Sequence, residues 1–207
     1  MDDSKSKNAI KAILLGESGV GKTNLINVSI GLDFYEYTGS TYTNSFVEKI
    51  FTINNEKYIL NLWDTIGQEK FRPLTKIFFK DSKIVILVYD KTNKKSFDEL
   101  NYWNNEIKEA LGDDDNYLKA IVGNKDDLDE EEVDENEARE FAKSINATFL
   151  MTSAKKNGKR FVKFLEELLR EYINKNKGKL NENKETIILD NDVHRNSIKK
   201  RKCCLFK

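Results

Sequence analysis

The sequence predicts an α/β fold: a mostly parallel β-sheet with helices on both faces. Three observations predict it. Short apolar runs alternate along the chain with stretches of helical periodicity. One run, Ile84–Tyr89, is apolar throughout, as in a strand covered on both faces. The chain has 207 residues, 39% of them hydrophobic, enough for one core and a tail without a second domain.

The elements follow in order. Ala9–Leu15 is strand-like and ends at Gly16, and Gly21–Ile30 opens a helix. Phe46–Ile53 and Tyr58–Trp63 read as a hairpin across Asn54–Asn55, a good turn dipeptide. Ile84–Tyr89 is the next strand. Ser96–Leu111 carries Phe97, Leu100, Trp103, Ile107 and Leu111 at helical spacing, with Ser96 as its N-cap. Leu118–Gly123 is a buried strand, Asp134–Ile145 a helix and Thr148–Met151 a short strand. Arg160–Ile173 is a helix with Phe161, Phe164, Leu165, Leu168 and Leu169 on one face. After Asn174 the composition turns polar and low in complexity. The expected organisation is a flexible N-terminus over 1–8, one domain over 9–174 and a flexible tail over 175–207.

Charge and cysteine content exclude several classes. Lys+Arg and Asp+Glu are both 35, so the net charge is zero, which argues against a nucleic-acid binder. The two cysteines, Cys203 and Cys204, are adjacent, so no disulfide framework is expected and the chain reads as cytoplasmic. No apolar signal region is visible near Met1, and the apolar runs are too short to span a bilayer. The single histidine, His194, falls in the tail, and the acidic runs 113–115 and 130–132 read as solvated surface.

Residues 16–23 read GESGVGKT, a full match to the phosphate-loop pattern between a strand and a helix. The glycines let backbone N–H groups turn inward around phosphate oxygens, and the helix N-terminus adds its positive end. The candidate nucleotide contacts here are Glu17, Ser18, Gly19, Val20, Gly21, Lys22, Thr23 and Asn24. Lys22 reaches the β- and γ-phosphates and the Thr23 hydroxyl ligates Mg²⁺. The loop alone leaves a switch, a kinase and a motor open.

Two later stretches read the base. Asn124, Lys125 and Asp127 form N-K-x-D after a buried strand. A carboxylate there accepts from the ring N–H and the exocyclic amine of guanine, a donor pair that adenine lacks on that edge. Lys125 lays its stem over the purine. Ser153, Ala154 and Lys155 follow the last strand, and the Ala154 N–H is a donor for the guanine O6.

In these motifs, taken in this order, the chain resembles the Ras superfamily of small GTPases, and within it the Rab branch. The resemblance runs from about Ile10 to Ile173 and includes Trp63 before Asp64, KFRPLT (70–75), FFKDS (78–82), LVYDKT (87–92), SFDELNYW (96–103) and the paired cysteines. It implies the small G-protein form of the P-loop NTPase fold. That form has a six-stranded, mostly parallel sheet with one antiparallel edge hairpin and five flanking helices. It also implies GTP and GDP as ligands, Mg²⁺ as cofactor and a role in vesicle and membrane traffic. Asp64 then becomes the strand-end acid that holds Mg²⁺ opposite Thr23. By family position, Thr41 is a metal and γ-phosphate ligand, Phe34 an aromatic edge on the guanine and Gly67 a γ-phosphate donor; Gln68 is the catalytic residue that orients water. With no matching arginine in cis, intrinsic hydrolysis is expected to be slow.

The chain departs from the Rab pattern in both switch regions. After Thr41 it reads Tyr42-Thr43-Asn44-Ser45-Phe46, without the usual glycine and acid. Ile66 stands where Rab proteins usually carry alanine, and overpacking of this kind costs ~1–3 kcal/mol where space is tight. An alternative is therefore a slow- or non-hydrolysing GTP-binding scaffold; an ATP-using P-loop kinase or ATPase is opposed by the guanine motifs. The tail resembles the Rab double-cysteine ending that receives two geranylgeranyl groups on Cys203 and Cys204. Lys199, Lys200, Arg201 and Lys202 add attraction to anionic leaflets, ~1 kcal/mol each near the surface. The implied partners are an exchange factor, a GTPase-activating protein, effectors and a prenyl-binding chaperone such as a GDP-dissociation inhibitor. A monomer is expected, reversibly on the cytosolic face of intracellular membranes.

Overall fold

Seven residues of β4, Ile84–Asp90, are all buried, and the sheet is arranged around that strand. The structure is a computed structural model that describes residues 8–36, 45–65, 78–112 and 116–177. Asn8–Tyr172 pack as one unit. Its strands are β1 (Ala9–Leu15), β2 (Ser45–Ile53), β3 (Glu56–Asp64), β4, β5 (Leu118–Asn124) and β6 (Ala147–Met151). The described helices are α1 (Lys22–Ser29), α2 (Lys94–Asp98), α3 (Leu100–Leu111), α4 (Glu135–Ser144) and α5 (Gly158–Lys175). Among these residues no helix is long and apolar enough to cross a membrane.

The sheet has six strands in the order β2-β3-β1-β4-β5-β6. Only β2 and β3 run antiparallel; every other pair is parallel. This is the architecture that the alternation of strands and helices predicts. The hairpin turn falls at Asn54 and Asn55, with φ of 52° and 64°. Two consecutive left-handed residues match the twist of the strands they join, and asparagine tolerates that conformation best after glycine.

The core forms because β1, β4 and β5 alternate their side chains between two covered faces. On one face Ile13, Leu15, Val85, Leu87, Tyr89 and Ile121 meet Phe97, Leu100, Trp103 and Ile107 of α2 and α3, and Ala138 and Ala142 of α4. Burying a side chain of this size contributes about 1.5–3 kcal/mol. The predicted apolar stripe of α5 is buried as expected, from Phe161 to Leu169.

The predicted Ser96–Leu111 helix differs in two ways. It begins at Lys94 and is interrupted at Glu99. Its N-cap is Asn93, whose side chain accepts from the Ser96 N–H, and not Ser96. Ser96 Oγ instead accepts from the Asp90 N–H at 3.0 Å and donates to the Asn93 carbonyl at 2.7 Å. The chain leaves β4 in a tight turn in which Asp90 Oδ1 accepts from the Thr92 N–H at 2.9 Å. That turn brings the helix start two residues forward.

Candidate functional site

β1 lies between β3 and β4, so the connections that follow it diverge to opposite sides. In open α/β sheets a crevice forms at such a point, beyond the carboxyl ends of the strands. Residues 16–21 leave β1 at this edge, Asp64 ends β3, Asp90 ends β4, Asn124 ends β5, and residues 152–155 follow β6.

The loop after β1 is held close to the sheet. A Cβ on Gly16 would lie 2.1 Å from the Val88 carbonyl oxygen, so only glycine fits. Lys22, 6% exposed, turns back and donates to the Gly16 and Glu17 carbonyls, both at 2.8 Å. Burial lowers its pKa to about 8, against the opposing pull of the Asp64 and Glu17 carboxylates. Gly21, the N-cap of α1, has no side chain and makes no side-chain cap bond to that helix.

Thr23 Oγ1 donates to Asp64 Oδ2 at 2.7 Å across the crevice. Asp64 Oδ1 is buried and has no hydrogen-bond partner among the described residues. Burial raises the Asp64 pKa, opposed by the Thr23 hydroxyl, Lys22 and the Thr65 backbone. An orphaned carboxylate oxygen beside a hydroxyl fits a hard cation. No group of three or more His, Cys, Asp or Glu residues is placed for a metal among the described residues. The Thr23 hydroxyl and the Asp64 carboxylate offer oxygen alone, which suits Mg²⁺, an ion that keeps water and takes phosphate oxygen at its other positions.

The base side is joined to the phosphate loop by one side chain. Asn124 Nδ2 donates to the Val20 carbonyl at 2.8 Å, and its Oδ1 accepts the Ala154 N–H at 3.0 Å. Ser153 Oγ donates to Asp127 Oδ1 at 2.6 Å, aligning that carboxylate. Lys125, with φ of 63°, places Nζ 2.6 Å from Asp90 Oδ2. Phe34 lies with its ring 5.8 Å from Lys155 Nζ, which also pairs with Glu36 at 3.5 Å.

The structure thus brings Lys22, Thr23, Asn24, Phe34, Asp64, Asn124, Lys125, Asp127, Ser153, Ala154 and Lys155 to one edge. The Ala154 N–H is already given to Asn124. Thr41, Ile66, Gly67, Gln68, Cys203 and Cys204 lie outside the described residues.

A family model described as the Ras family matches residues 11–174. The chain belongs to the Ras family. A protein named Ras-related protein Rab-21 from Geodia cydonium is 41% identical over 148 residues, 71% of this chain and 64% of that protein. The chain therefore covers just under two thirds of that relative's length. Ras-related protein Rab-18 from Lymnaea stagnalis is 36% identical over 157 residues, 76% of this chain and 77% of that protein. Ras-related protein Rab-21 from Mus musculus is 39% identical over 161 residues, 77% of this chain and 69% of that protein. Within the Ras superfamily the chain is a Rab-like small GTPase.

Three supports in this Ras-family chain escaped the motif reading. Thr65 Oγ1 donates to the Leu14 carbonyl at 2.6 Å and fixes the end of β3 against β1. Trp103 Nε1 donates to Glu17 Oε1 at 3.3 Å and tethers the phosphate loop to α3. Asn24 bonds the Tyr35 backbone twice. None carries a local signal, because each pair is joined only by the fold.

Proposed function

We propose that the chain binds GTP and GDP with Mg²⁺ and alternates between two states that regulate vesicle traffic. The observation that carries this is the position of Asn124, which joins Val20 of the phosphate loop to Ala154 of the base loop. Phosphate recognition and base recognition then share one rigid side chain. Lys22 would turn from the Gly16 and Glu17 carbonyls to the phosphates, and the aligned Asp127 carboxylate would accept the two guanine donors. Thr23 and Asp64 would hold Mg²⁺, which when bound neutralises charge on the phosphate oxygens. Gln68 would orient the attacking water, with Thr41 and Gly67 reading the γ-phosphate. Geranylgeranyl groups on Cys203 and Cys204 would hold the active form on the cytosolic face of a membrane.

Competition against a fluorescent GDP analogue tests the ligand. GTP and GDP should displace it and ATP should not, and Asp127→Ala should abolish the preference. Equal displacement by ATP would overturn the reading. Imaging a tagged chain with and without Cys203→Ser and Cys204→Ser tests the anchor, and an unchanged membrane fraction would refute it. The presence of Ile66 favours a second reading, in which the chain holds GTP and turns it over slowly as a scaffold.

A further inference from the structure

Residues 31–36 cross from α1 toward the base loops with little burial of their own. Leu32 is 51% exposed and Tyr35 53%. Segments with so little buried surface open readily unless something else fastens them. Asn24, in the first turn of α1 and 7% exposed, supplies the fastening. Its Nδ2 donates to the Tyr35 carbonyl at 2.8 Å, and its Oδ1 accepts the Tyr35 N–H at 3.2 Å. One side-chain amide thus satisfies both backbone groups of Tyr35, as a neighbouring strand would. The Tyr35 side chain faces outward, so the hold is on the backbone. Just beyond, Glu36 pairs with Lys155, which also lies over Phe34. Phe34 is therefore fastened from α1 on one side and from the loop after β6 on the other.

We infer that Asn24 is a positioning residue that governs how fast guanine nucleotide leaves, by clamping Tyr35 so that Phe34 stays across the base. The inference rests on the nucleotide reading above and adds to Asn24, already a candidate contact of the phosphate-loop stretch, a separate role for its side chain in holding Tyr35. Nucleotide cannot leave past Phe34 until the segment lifts, and lifting it breaks both Asn24 bonds together. A serine at position 24 offers one short oxygen and can replace only part of the clamp.

The test measures release of a fluorescent GDP analogue from the full chain under excess unlabelled GDP. Asn24→Ala should release about tenfold faster, from the loss of two net hydrogen bonds. Asn24→Ser should fall between Asn24→Ala and the wild type. The decisive comparison is with Phe34→Ala: the double variant should release no faster than Phe34→Ala alone. Amide exchange at Tyr35 should be protected in the wild type and unprotected in Asn24→Ala. Release at the wild-type rate, or effects of the two variants that multiply, would overturn the inference while leaving the nucleotide reading intact. A wild-type chain that takes up no GDP would overturn both.

Discussion

The side-chain amide of Asn124 lies 2.8 Å from the carbonyl oxygen of Val20, 104 residues earlier in the chain. Gly21 makes that approach possible. With φ of 96°, a Cβ there would stand 2.3 Å from Asn124 Nδ2. Gly21→Ala should therefore expel Asn124 and leave the Val20 carbonyl and the Ala154 N–H without partners, at about 1–3 kcal/mol each. Gly19 also has positive φ, but its Cβ would meet nothing within 4 Å. Gly19→Ala should carry only the backbone strain, roughly 1–2 kcal/mol. Thermal unfolding and GDP titration of the two variants check this, and equal losses would contradict it.

The Thr23–Asp64 contact predicts a split between two conservative changes. Thr23→Ser keeps the hydroxyl and should keep the Mg²⁺ dependence of GDP retention. Asp64→Asn keeps the shape and removes the charge, and should raise the Mg²⁺ requirement roughly 10–100-fold, as changes around metal sites do. Retention measured across a Mg²⁺ titration distinguishes them.

Lys22 predicts a pH dependence. Its pKa in the folded chain is about 8, lowered by burial. Phosphate oxygens favour the charged amine and would raise that value, so nucleotide binding should take up a proton above pH 8. Affinity should be flat below about pH 7 and fall as pH rises through 8, approaching tenfold per unit. In the empty chain the sign is opposite for folding. The unfolded chain holds the Lys22 proton up to the ordinary lysine value of 10.5, so the Lys22 contribution to stability rises with pH between 8 and 10.5. Calorimetric titrations in buffers of different ionisation heat measure the proton uptake directly.

Ile66 predicts a kinetic effect from sequence. If its three extra carbons crowd the peptide before Gly67, Ile66→Ala should speed single-turnover GTP hydrolysis by about tenfold, the lower part of the ~1–3 kcal/mol range for overpacking. Equal rates and equal nucleotide affinities in the two proteins would refute it.

The strands and the phosphate loop were legible because their signals are local. Apolar runs marked the strands to within a residue or two, and the glycine spacing of 16–23 marked the loop. The helix start after β4 was not, because Asn93 and Ser96 are both good caps and the turn at Asp90 decides between them. Asn93→Ala should accordingly cost about 1 kcal/mol of stability. Ser96→Ala should cost more, since it also strips the buried Asp90 N–H of its acceptor. Thermal midpoints of the two variants rank them. The Trp103–Glu17 tether joins residues 86 apart, so neither position alone announces it.

The reach of Asn124 also sets an order of assembly. Val20 emerges from the ribosome 104 residues before Asn124, and Ala154 another 30 residues after it. Chains are built and begin to fold from the N-terminal side, at roughly 5–20 residues per second. A nascent chain thus carries a phosphate loop for several seconds before Asn124 can reach Val20. The pocket closes only when the last strand is laid down, so nucleotide capture would mark completed synthesis of the sheet.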